Sequence, residues 1–174
     1  MDSGHLPDDP ACWLNQVVER YQRPLLAYAA RRLGGDLEAA QDAVQETFLR
    51  LCRVPRGELE DRIAAWLFAV CRSRVIDMQR SQTREPRVSD RFEQAPPADP
   101  APDPATACQE ADRASQLAKW IDQLAPGQQE VLRLRLDAGL SYREIAAATG
   151  RSVGSVSSQL HDAIRQLRRA SLQA

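Results

Sequence analysis

The stretch Leu140-Ser141-Tyr142-Arg143-Glu144-Ile145-Ala146-Ala147-Ala148-Thr149-Gly150-Arg151-Ser152-Val153-Gly154-Ser155-Val156-Ser157-Ser158-Gln159-Leu160 decides the fold. Ser141, followed three residues later by Glu144, is a capping box: each side chain bonds the other residue's backbone N–H. The helix it starts carries Ile145, Ala146 and Ala148. Thr149-Gly150-Arg151 supplies a tight turn, and Ser152 caps a final helix with Val153, Val156, Leu160, Ile164 and Leu167 turned inward. Two helices joined by a short glycine-containing turn predict a helix-turn-helix, with the second helix available to DNA. A plain helical hairpin would share the spacing. The basic balance of the segment favours the DNA-binding reading.

Working outward, Ala111–Leu124 predicts an amphipathic helix through Leu117, Trp120, Ile121 and Leu124. Pro126 suits the first turn of the next helix, which runs to Asp137 and stops at Gly139. Before them, Glu85 to Ala107 holds Pro86, Pro96, Pro97, Pro100, Pro102 and Pro104, six of the eleven prolines. Proline removes backbone donors and disfavours helix at the preceding residue, so this stretch predicts a solvated spacer. Upstream, apolar residues recur at spacings of three and four from Trp13 to Leu33, and Gly34-Gly35 ends that helix. Asp36 caps the next, whose apolar stripe is Leu37, Ala40, Val44, Phe48 (with Thr47) and Leu51. A third helix, about Arg62 to Arg80, buries Ile63, Trp66, Leu67, Val70 and Cys71. Strand signals are missing from the sequence. The expected fold is all-α: two small helical domains, 11–84 and 111–172, joined by a flexible proline-rich linker over 85–110.

Charge divides the chain along the same lines. The 174 residues carry a formal net charge of −1. Residues 1–84 hold 12 basic and 12 acidic groups, 85–112 hold two and seven, and 113–174 hold nine and five. Neutrality is thus a cancellation between an acidic spacer and a basic C-terminal domain. The longest wholly uncharged apolar stretch, Ile63 to Cys71, is too short to span a bilayer, so no membrane insertion is expected. The N-terminus is acidic and broken by prolines, unlike a signal peptide. Cys12, Cys52, Cys71 and Cys108 show no metal-ligand or disulfide spacing, which predicts no metal site, no cofactor and a reducing cytoplasmic location.

Two constellations stand outside the core pattern. Asp42, Gln45, Glu46 and Leu49 fall at i, i+3, i+4 and i+7, a second face of their helix. Solvent would explain the polar members; an exposed leucine among them points to a partner. Arg72, Arg74, Arg80 and Arg84, with Ser73 and Asp77 among them, extend from an unusually apolar run. Arginines there can meet phosphates beside apolar residues that hold unstacked bases, or stand solvated with Asp77 and Arg80 paired. No nucleophile–base pair, phosphate-cradling glycine loop or metal spacing is present, so no catalytic residues are assigned and an enzyme is not expected.

Taken together, these segments resemble the extracytoplasmic-function branch of the bacterial sigma-70 family of initiation factors. Asp42-Ala43-Val44-Gln45-Glu46-Thr47-Phe48-Leu49-Arg50-Leu51 resembles the region 2 motif that grips the polymerase β′ clamp helices. The resemblance therefore implies Asp42, Gln45, Glu46 and Leu49 as polymerase-binding residues. Ala65 to Asp77 resembles the segment that recognises and opens the −10 element, implying Trp66, Arg72, Ser73, Arg74, Asp77, Arg80 and Arg84 as DNA contacts. The loop Val54 to Asp61 would line a pocket for a flipped base. Leu124 to Leu132 and Leu140 to Ala146 resemble region 4, which implies −35 contacts from Arg151, Ser152, Ser155, Ser157, Ser158, Gln159 and Arg165, and docking on the β flap. The implied partners are core RNA polymerase, promoter DNA and an anti-sigma factor.

This sequence also departs from the family pattern. Ser73 stands where the family usually has Asn, and serine cannot bond a base edge bidentately. Ser155-Val156-Ser157-Ser158-Gln159-Leu160-His161-Asp162-Ala163-Ile164 lacks four cations usual in the recognition helix and adds an acid. Arg151, Arg165, Arg168 and Arg169 only partly restore the charge, at other positions, so a weaker or different −35 grip is expected. From Glu85 to Asp112 is 28 residues. In polyproline-II geometry these reach at most about 85 Å, enough to span two DNA elements roughly 50 Å apart. The alternative is a helix-turn-helix regulator that binds duplex DNA without polymerase.

Overall fold

A computed structural model describes residues 10–82 and 115–172. Among them every regular element is helical. The linker, Arg84 and Cys108 lie outside the described residues. The chain divides into two compact units, taken in turn.

The first unit packs three helices, α1 (Pro10–Arg32), α2 (Leu37–Leu51) and α3 (Ile63–Gln82), each touching the other two. Helix α1 passes through Pro24, which gives up one intrahelical bond without ending the helix. It stops at Gly34 and Gly35, both with positive φ, where Gly35 N–H reaches back to the Ala30 carbonyl at 2.8 Å. Asp36 then caps α2 by accepting from Ala39 N–H at 2.9 Å. Tyr28 of α1 meets Phe68 of α3 edge-on, ring centroids 5.7 Å apart. The Gln79 side chain of α3 donates to the Arg32 carbonyl, one of the last acceptors of α1.

The seam of α2 is narrower than its hydropathy suggests. Ala40, Ala43, Val44, Thr47 and Leu51 are buried, whereas Leu37 is 37% exposed and Phe48 is only half-buried. Small side chains let the three helices approach closely, and Thr47 satisfies its hydroxyl by donating to the Ala43 carbonyl at 2.8 Å. Helix α3 likewise buries Ala64, Ala65, Leu67, Phe68, Cys71 and Val75, leaving Ile63, Trp66 and Val70 half-exposed. Burial pushes the Cys71 thiol up to about 12, with a side-chain hydrogen bond to Thr47 acting the other way.

The second unit begins with α4, described over 115–122, followed by α5 (Pro126–Leu136), α6 (Tyr142–Thr149) and α7 (Val153–Leu172). Leu117 of α4 is 41% exposed, while Ile121 and Leu124 are buried as the sequence predicts. Gly139 takes the left-handed conformation that turns the chain out of α5. The capping box forms: Ser141 N–H donates to Glu144 Oε2 at 2.7 Å, and Glu144 N–H to Ser141 Oγ at 3.3 Å. Gly150 closes α6 at φ +71, and Ser152 Oγ accepts from Ser155 N–H at 3.2 Å to open α7. Helix α7 packs on α5 through Val156, Leu160 and Ala163. Val153 and Ile164, expected inside, are 45% and 41% exposed. The seam runs through Ala163, about 100° round the helix from Ile164.

Candidate polymerase and nucleic-acid interfaces

On α2, Asp42, Gln45, Glu46 and Leu49 fall within an arc of about 100°, opposite the buried seam. Asp42, Gln45 and Leu49 are exposed, Leu49 to 50%. Glu46 is half-exposed and pairs with Arg50 at 3.0 Å. Glu38, exposed and one turn before Asp42, lies on the same face. Sequence reasoning missed it, although its i−4 spacing from Asp42 was the available signal.

The turn between α2 and α3 is tied down at several points. A 3-10 turn covers Arg56–Glu58, Leu59 is 1% exposed, and the Arg56 guanidinium sits 5.8 Å from the centre of the Trp13 ring. Arg56 also lies 3.0 Å from Glu60, and Arg62 Nε donates to the Glu58 carbonyl at 3.0 Å. On α3 beyond it, Trp66, Ser73, Asp77 and Arg80 share the face turned away from the core. Ser73, Asp77 and Arg80 are exposed; Trp66 is half-buried. Arg62 joins this face and was missed. Arg72 and Arg74 are not brought onto it: they flank it on opposite sides, and Arg74 Nε is buried without a hydrogen-bond partner.

On α7, Ser157, Ser158 and Arg165 are exposed, Ser152 is the cap, and Ser155 and Gln159 turn toward the α5 side. Arg168 and Arg169, the charge-restoring arginines of the sequence, share the outer face with Ser158 and Arg165, and so does His161. Arg165 pairs with Asp162 at 2.7 Å. Arg151 faces inward: its Nη2 lies 3.0 Å from Glu130 Oε2, and its Nη1 donates to Gln159 Oε1 at 3.0 Å and the Gly127 carbonyl at 3.2 Å. Glu130 carried no sequence signal as a site residue. Its partner is 21 positions away, and only the fold brings them together.

Among the described residues no group of acidic, histidine and cysteine side chains could hold a metal ion. No described helix is long and apolar enough to cross a membrane. A helical N-terminal unit with a polar-and-leucine face, followed by a separate helix-turn-helix unit, defines a sigma-like architecture. The sigma-70 region 2 family matches residues 17–85 and the sigma-70 region 4 family residues 115–167. The ECF RNA polymerase sigma factor SigL of Mycobacterium tuberculosis is 33% identical over 160 residues, covering 91% of this chain and 88% of SigL. The ECF RNA polymerase sigma factor SigE of Mycolicibacterium smegmatis is 30% identical over 157 residues, covering 89% of this chain and 58% of SigE. A solved structure of CnrH in complex with the cytosolic domain of CnrY aligns with a TM-score of 0.57 at 27% identity, over 93% of this chain and 88% of that one. This chain belongs to the sigma-70 family, in its extracytoplasmic-function branch.

Proposed function

We propose that this protein is the promoter-specificity subunit of a cytoplasmic RNA polymerase and performs no catalysis itself. The observation that carries the reading is the outward face of α2, where Leu49 stands 50% exposed among Asp42, Gln45 and Glu46. An exposed leucine framed by acids suits a partner with an apolar notch and basic rim, and the β′ clamp helices are the assigned partner. Trp66, Ser73, Asp77 and Arg80 then meet the −10 element, where trapping an unstacked base opens the duplex. The outer face of α7 meets the −35 element, with the unit docked on the β flap. CnrH binds the cytosolic domain of CnrY, which is in keeping with a further protein partner here, assigned as an anti-sigma factor. A regulator acting on duplex DNA without polymerase is not favoured, because the region 2 match includes the α2 face.

The test is in vitro transcription with core polymerase on a genomic library, followed by mapping of start sites. Shared −10 and −35 sequences upstream of protein-dependent starts are expected. Starts that are unchanged when the protein is omitted would contradict the reading.

A further inference from the structure

Among the described residues Glu130 is the one buried charged side chain, only 2% exposed. A carboxylate held out of water needs a cation and further hydrogen bonds around it. Arg151 supplies the cation, and the same guanidinium reaches the Gly127 carbonyl and Gln159 Oε1. Gln159 passes the chain on, its Nε2 donating to Ser155 Oγ at 3.3 Å. The first two turns of α5 and the second turn of α7 thus meet on one side chain, which comes from the turn between α6 and α7. Gly127 lies against the same group: a Cβ there would stand in contact with it, 3.4 Å from both Arg151 Nη2 and Gln159 Oε1.

Two chemical consequences follow. The Arg151 charge is neutralised at 3.0 Å and three of the five guanidinium donors are engaged within the unit. Salt-dependent DNA affinity comes from cations that displace phosphate counterions, and a guanidinium paired in this way does not add to that number. The Gln159 oxygen already accepts from Arg151 and its Nε2 already donates to Ser155 Oγ, so a bidentate pair with adenine would compete with these bonds for the same amide.

We propose that Glu130, Arg151 and Gln159 form a positioning hub that sets the register of α7 against α5, and that Arg151 acts through this hub rather than on phosphate. The proposal rests on the reading of α7 as the −35 helix. Its test uses the full chain bound to core polymerase and a short duplex that the wild-type holoenzyme selects from a randomised pool. Affinity is measured over a salt series for wild type, Glu130→Gln, Arg151→Gln and the double variant. Each single change is expected to weaken binding about tenfold at every salt concentration, without changing the salt slope. The double variant regains most of the loss, because two neutral amides can pair.

A phosphate contact predicts a different pattern. Arg151→Gln would flatten the slope by about one unit, and Glu130→Gln, by releasing the guanidinium, would tighten binding. Either result overturns the hub, as does unchanged affinity in both single variants. Where a single variant loses helix in a thermal melt, Arg151→Lys decides: it keeps the charge but not the planar fork, so the hub predicts weakening and a phosphate contact predicts near-wild-type binding. A wild-type holoenzyme that selects no duplex removes the −35 reading and the hub with it; selection by wild type with contrary variants removes the hub alone.

Discussion

Cys71 lies at the centre of the three-helix unit, fully buried, with Thr47 as its polar neighbour. Its thiol ionises near 9.0 when unfolded and is pushed up to about 12 by burial. Between those values the unfolded chain holds fewer protons than the folded one and is favoured by rising pH. The stabilisation is therefore complete below 9.0 and lost as pH climbs toward about 12, by an amount on the order of a few kcal/mol. Denaturant melts across that range should show a steeper decline in wild type than in Cys71→Ala. Below it, thiol reagents should label exposed Cys52 and spare Cys71 until the unit unfolds. At the outer face of α7, Asp162 neutralises Arg165 at 2.7 Å and Ser157 occupies an exposed position that a cation could fill. Ser157→Lys with Asp162→Arg should tighten duplex binding and steepen its salt dependence. A salt series on a fixed duplex checks this; an unaltered slope would show that the face does not meet phosphate.

At the scale of the element, stops and caps were the most legible features. Asp36, the Ser141–Glu144 box and Ser152 all cap as the sequence predicts, because a cap needs only a local spacing and a side-chain oxygen. Ser141→Ala should remove one bond of the box and cost about 1 kcal/mol of stability, read as a lower melting temperature of the C-terminal unit. Buried faces were less legible. Ala40, Ala43 and Ala163 form tight seams, while Leu37, Leu117, Val153 and Ile164 stay exposed. A hydropathy pattern gives weight to large apolar residues, but close helix approach is decided by small ones, which carry little signal. The polar face of α2 could still be read correctly, since it stands opposite whichever residues form the seam. Arg72 and Arg74 could not be placed from composition alone, because residues two positions apart on a helix differ by about 200° in direction.

Across the whole molecule, the segment charges and the proline cluster pointed to two helical units, and the two family matches, at 17–85 and 115–167, are separate in the same way. What the sequence did not reveal were pairings between distant positions. Arg151 looked like a surface cation beside a recognition helix, and the fold turns it onto Glu130. Trp13 looked like an ordinary core residue, and the fold sets it beneath Arg56 in the turn before α3. Such contacts depend on tertiary packing and have no local periodicity to announce them. The central claim is that the α2 face joins this chain to polymerase. It is tested most directly by co-purification of tagged wild-type and Glu46→Arg chains with core RNA polymerase, each checked by circular dichroism for intact helix. Wild type should bring down core polymerase in stoichiometric amount and Glu46→Arg should lose it while remaining folded; equal recovery with both chains would contradict the account.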